Sequence, residues 1–106
     1  MSSELINGLA IGMHHLSYND EQRVVIIDQR VVKFSPMRYQ ALRLLLAGNV
    51  IAEEELLTTV YGENASVDSK DSLAKLIRKI RSQLLPLGIT IEQVAQRGYV
   101  LLPIPE

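Results

Sequence analysis

Four sets of residues in this 106-residue sequence have side chains that could do chemistry. His14 and His15 could ligate a metal or move a proton. They are adjacent, so on a strand they point in opposite directions and do not converge on one ion. No cysteine is present to complete a metal shell. The pair therefore reads as surface or structural histidine. Ser35, Ser66, Ser69, Ser72 and Ser82 are candidate nucleophiles, but none has a histidine at a plausible local spacing. Glu53, Glu54 and Glu55 could serve acid–base or metal chemistry. A carboxylate run at the start of a helix also complements its positive end, and that reading needs no reaction. The stretch "GLAIG" lacks the lysine and the strand–loop–helix context of a phosphate loop. We expect no enzyme, no cofactor and no metal site.

The fourth set is basic. "KDSLAKLIRKIRSQLL", Lys70 to Leu85, carries five of the eleven Lys and Arg of a chain whose net charge is −1. Residues 69–97 hold six basic and two acidic groups, a net of +4, whereas residues 1–68 hold five basic and nine acidic, a net of −4. Such asymmetry makes a local positive field possible despite the acidic total. A charged helix face is often only solvated surface. Its meaning depends on the elements that position it.

Those elements follow from periodicity. Met1 to Gly12 has no firm pattern and is either a loose lead-in or a first strand. "RVVIID" and "QRVVKF" are β-branched runs with Asp28-Gln29 between them, where a short hairpin turns. The N-terminal third thus reads as a small antiparallel sheet. Ser35-Pro36 starts a helix, over about 36–47: the serine hydroxyl can cap a free N–H, and proline suits the first helical position. Met37, Leu42, Leu45 and Leu46 form its apolar stripe, and Gly48-Asn49 stops it. "EEELLTTVYG" is a second, shorter helix ending at Gly62. After the loop "ENASVDSK" comes a third, over about 69–85. Its Leu73, Ile77, Ile80 and Leu84 recur at i, i+4, i+7 and i+11. At about 100° per residue, Asp71, Lys75, Arg78 and Ser82 project from the far side, flanked by Ser72 and Lys79. Pro86 and Gly88 end it. Thr90–Ala95 and Tyr99–Leu102 read as two strands around a Gln96-Arg97-Gly98 turn.

The fold class expected is α+β: an N-terminal antiparallel sheet, three helices and a C-terminal β-hairpin. That order is the order of a winged helix-turn-helix. In that arrangement the third helix enters the DNA major groove and the hairpin reaches the adjacent backbone as a wing. Length and a 47% hydrophobic share suit one small folded domain and argue against disorder. The broken apolar stretch "LINGLAIGM" is neither a signal peptide nor a membrane span, so a cytoplasmic protein without membrane association is expected. We place a lead-in at residues 1–12 and the winged-helix domain at 13–104.

The sequence resembles the OmpR/PhoB-type winged-helix effector domain of bacterial two-component response regulators. The likeness runs over about residues 13–102. It is carried by "LSYNDEQRVVIIDQRVVKFSPMRYQALRLLLAGN" for the sheet and first helix, and "VIAEEELLTTVYG" for the second. "DSLAKLIRKIRSQL" carries it for the recognition helix and "VAQRGYVLL" for the wing. The resemblance implies a transcriptional regulator whose partner is double-stranded DNA, with RNA polymerase or a second copy as further partners. It implies a backbone contact for Tyr61, groove-facing positions for Ser72, Lys75 and Lys79, and phosphate contacts for Arg78 and Arg81. Arg97, at the wing tip, supplies charge there. Four departures stand out: Asp71 and Ala95 where the family usually has arginine, Gln96 for glycine, and Leu76 for a frequent histidine. With the acidic total, the first two leave one alternative: a winged-helix protein–protein interaction module with weak or no DNA binding.

Overall fold

The computed structural model of the chain describes residues 9–63 and 67–105. Most of the 1–12 lead-in, Ser66 and part of the "ENASVDSK" loop lie outside the described residues. The strands and helices follow one another as β1 (Leu9–Ile11), β2 (His14–Asn19), β3 (Val24–Ile27), β4 (Arg30–Lys33), α1 (Pro36–Leu45), α2 (Glu53–Tyr61), α3 (Val67–Leu84), β5 (Ile89–Val94) and β6 (Gly98–Pro103). A short 3-10 turn, Leu85–Leu87, links α3 to β5.

β1 to β4 form an antiparallel meander in sequence order. At the end of the stretch read as a lead-in or a first strand, Leu9–Ile11 is a strand, paired with β2. The β3–β4 hairpin turns at Asp28-Gln29 with Ile27 opposite Arg30. Both turn residues take positive φ, 49° and 74°, as a two-residue hairpin with the right-handed strand twist requires. The Asp28 carboxylate secures this turn by accepting from the His15 backbone N–H and pairing with the His14 ring. Those bonds, the backbone one first, hold its carboxyl below the usual range. The adjacent histidines thus do structural work.

α1 begins at Pro36, but two details differ from expectation. Ser35 makes no side-chain cap; its carbonyl accepts from Tyr39 N–H while its side chain lies at an open surface. Met37 is not core, being 44% exposed, and Tyr39 and Ala41 take its place beside Leu42 and Leu45. The helix also stops at Leu45, because the next residues tighten into Ala47→Leu44 and Gly48→Leu45 backbone bonds. α2 has Glu53, Glu54 and Glu55 in its first turn, as helix electrostatics require.

α3 begins at Val67, two residues earlier than the sequence reading, and spans 18 residues, a length of about 27 Å. Leu73, Leu76, Ile77, Ile80 and Leu84 are buried along one side. They meet the α1 residues Leu42 and Leu45, Leu56 of α2 and Ile89 and Ile91 of β5 in a single core. At a transfer value of roughly 1.5–3 kcal/mol for each large buried side chain, this stripe alone accounts for α3 being a helix in this position. β5 and β6 form the hairpin, and Ile51, in the α1–α2 connection, exchanges two backbone hydrogen bonds with Tyr99 at 2.8 and 2.9 Å. That bridge ties the turn end of the hairpin to the α1–α2 connection. Among the described residues, no helix is long and apolar enough to cross a membrane.

Candidate nucleic-acid interface

With the apolar stripe of α3 turned inward, its other side faces solvent. Asp71, Ser72, Lys75, Arg78, Lys79 and Ser82 are all exposed. Ser72, Lys75 and Lys79 share an open cleft with Leu76, Tyr61 at the end of α2, and Ser35, Met37 and Arg38 at the start of α1. Three helices therefore contribute to one concave surface, and its walls carry three cations. The first backbone N–H groups of α1 are unsatisfied by the helix itself, and they add positive potential at the same edge.

Two side chains here are held in place. Arg38 donates from Nη1 to Gln83 Oε1 at 2.8 Å, and Gln83 Nε2 donates to the carbonyl of Lys33 at 3.4 Å. This chain runs from α1 through α3 to β4, so it fixes both the arginine and the rotation of α3 against the sheet. Tyr61 is half-buried, and desolvation pushes its phenol up from its ordinary value. It stays neutral at physiological pH and keeps an O–H to donate.

The remaining basic residues go elsewhere. Arg78 is exposed on α3 but does not line the cleft. Arg81 is half-buried and donates from Nε to the Ile91 carbonyl at 2.8 Å. It pins α3 to β5, and the structure does not bring it to the surface shared by Lys75 and Lys79. Arg97 is exposed in the β5–β6 turn, where Gln96 takes a φ of 63°. It lines a second cleft between the wing tip and the start of α2, opposite Glu53 and Glu54, and so stands apart from the three-helix cleft.

Sequence reasoning missed Arg38. Its periodicity only set it off the apolar stripe of α1. A cation two residues after a helix-starting proline was the available clue, because such a position places it beside free N–H groups. Among the described residues, no group of three or more His, Asp or Glu is placed to hold an ion.

Residues 28–101, well over half of the chain, match the family described as transcriptional regulatory protein, C terminal. No curated protein matches the sequence. Among solved structures, the fold is similar to that of the DNA-binding domain of CpxR from E. coli, with a TM-score of 0.69 at 18% identity over 92% of this chain and 98% of that one. The DNA-binding domain of Klebsiella pneumoniae RstA, solved in complex with the RstA box, gives a TM-score of 0.66 at 20% identity, over 91% and 97%. A streptococcal redox sensor, of a family evolved from two-component response regulators, gives 0.68 at 23% identity over 83% of this chain. The chain spans only 39% of that sensor's length. Order of elements, three-helix cleft, wing and family match agree: the chain belongs to the family of transcriptional regulatory protein C-terminal domains, the winged-helix DNA-binding domains of the OmpR/PhoB type.

Proposed function

We propose that the chain regulates transcription by placing α3 in the major groove of double-stranded DNA, with the β5–β6 hairpin as wing over the neighbouring backbone. The observation that carries this reading is the convergence of Arg38, Lys75 and Lys79, from two helices, on one cleft beside Ser72 and Tyr61. Folding explains Leu73, Ile77, Ile80 and Leu84; it does not explain why Arg38, Lys75 and Lys79, none of them in an ion pair among the described residues, share one cleft. Lys75 and Lys79 neutralise phosphates at the groove rim or reach guanine acceptors. Ser72 and the Tyr61 hydroxyl donate to the backbone and fix the register. Arg78 serves the strand on the wing side, and Arg97 meets the backbone beyond it. Arg81 acts through position alone, by fastening α3 to β5.

The working unit runs over 13–104, with β1 added to the edge of its sheet. It acts in the cytoplasm by docking and needs no catalytic step. RNA polymerase or a second copy of the chain would engage the surfaces that α3 and the wing leave free.

Salt titration tests this. Affinity for duplex DNA should fall linearly with the logarithm of salt concentration. Lys79→Ala should make the slope shallower by about one, and Arg38→Ala by a similar amount. A folded chain that shifts no duplex at low salt, and instead holds a protein partner at high salt, is a protein-interaction module.

A further inference from the structure

Asp71 sits on the outward side of α3, with Lys75 one turn further along and Arg78 a turn beyond that. Nothing in the fold accounts for it. It is exposed and is no part of the buried core. Asp68, not Asp71, occupies the first turn of the helix, where a carboxylate complements the positive end. That benefit fades beyond the first turn. Lys75 stands at i+4, the spacing of a stabilising helix pair, yet the ion pairs among the described residues are His14–Asp28 and Arg43–Asp20 alone.

Resting on the DNA reading above, we propose that Asp71 is a specificity-determining residue that selects cytosine at one position of the operator. A carboxylate can only accept hydrogen bonds. Phosphate oxygens and the O6 and N7 of guanine repel it, as does the O4 of thymine. In the major groove only the amino groups of cytosine and adenine can donate to it. The adenine amine is flanked by N7, an acceptor that opposes the second carboxylate oxygen. The cytosine amine has only a C–H beside it on its own base. The N-terminal part of a recognition helix is also the part that reaches base edges. Asp71 lies there, ahead of Lys75 and Lys79. The two lysines then hold the backbone while the acid tests the base.

The experiment is selection from random duplexes at low salt with the 106-residue chain, its Asp71→Ala variant and its Asp71→Asn variant. The wild-type motif should hold one cytosine favoured about tenfold over guanine. Asp71→Ala should flatten that position to within about threefold and leave the other positions unchanged. Asp71→Asn should move the preference to adenine, whose N6 and N7 suit a side-chain amide. If Asp71→Ala keeps the wild-type motif and tightens binding to every duplex alike, Asp71 is a repelling surface charge and the proposal is overturned, while the DNA reading stands. A wild-type chain that selects no sequence, yet binds with the expected salt slope, also overturns only this proposal. A wild-type chain that binds no duplex ends both.

Discussion

Arg78 and Arg81 look alike in the sequence: both are basic residues in the amphipathic stretch "IRKIR". Three positions turn a helix by about 300°, enough to leave Arg78 exposed while Arg81 meets the Ile91 carbonyl. That carbonyl belongs to another element, so no local pattern could reveal the bond. Arg81→Ala should cost about 1–2 kcal/mol in urea unfolding, because a charge-assisted bond to buried backbone is lost. It should leave the salt slope of DNA binding unchanged. Arg78→Ala should show the reverse. Ser35 teaches a related lesson: the residue type suited a cap, but the carbonyl does the work and the hydroxyl is left at the cleft. Asp28 carries a pH prediction. Its folded-state pKa lies below its ordinary value, so its contribution is present above about pH 3.9, the unfolded value. It is lost as pH falls through the lower folded value. Asp28→Asn should therefore flatten the acid limb of an unfolding-midpoint-versus-pH curve and leave the neutral region's slope unaltered.

Whole elements were legible where a periodic stripe was long. α3 was fixed in type, face and last turn by Leu73, Ile77, Ile80 and Leu84, and all four are buried. Its start was not, because Val67 and Asp68 precede any apolar repeat. β1 was left open for a different reason: three residues cannot show alternation, and only the pairing with β2 marks Leu9–Ile11 as a strand. The hairpin strands were read to within one residue at each end, but not their fastening. The Ile51–Tyr99 bridge joins residues far apart in the chain, and Gly98 is what lets it form. A Cβ on Gly98 would lie 1.9 Å from the Ile51 carbonyl oxygen, and its φ of 143° already disfavours a side chain. Gly98→Ala should therefore destabilise the fold by roughly 2–4 kcal/mol in thermal or urea unfolding. The wing should lose hydrogen-exchange protection before the N-terminal sheet does.

Across the molecule, the sequence announced a charge imbalance but not its geometry. The cations of the cleft come from Arg38 as well as from the 69–97 segment, so the basic surface crosses the boundary that composition drew. Burial also unites Tyr39, Tyr61 and Tyr99, whose phenols are all pushed up chiefly by desolvation. Protons are held more tightly in the fold than in the unfolded chain. The tyrosines' contribution to stability should thus be constant up to about pH 10 and fall progressively above it, as the unfolded tyrosines ionise first. Unfolding midpoints between pH 8 and 12 will show this knee, and Tyr39→Phe should weaken it. The division of α3 into a buried and an open side has a last consequence, for heredity rather than for stability. Residues 71, 72, 75, 78 and 79 are exposed and lie outside the buried core. A lineage carrying this scaffold can therefore exchange one target sequence for another by single substitutions, each tested against the genome without first putting the fold at risk.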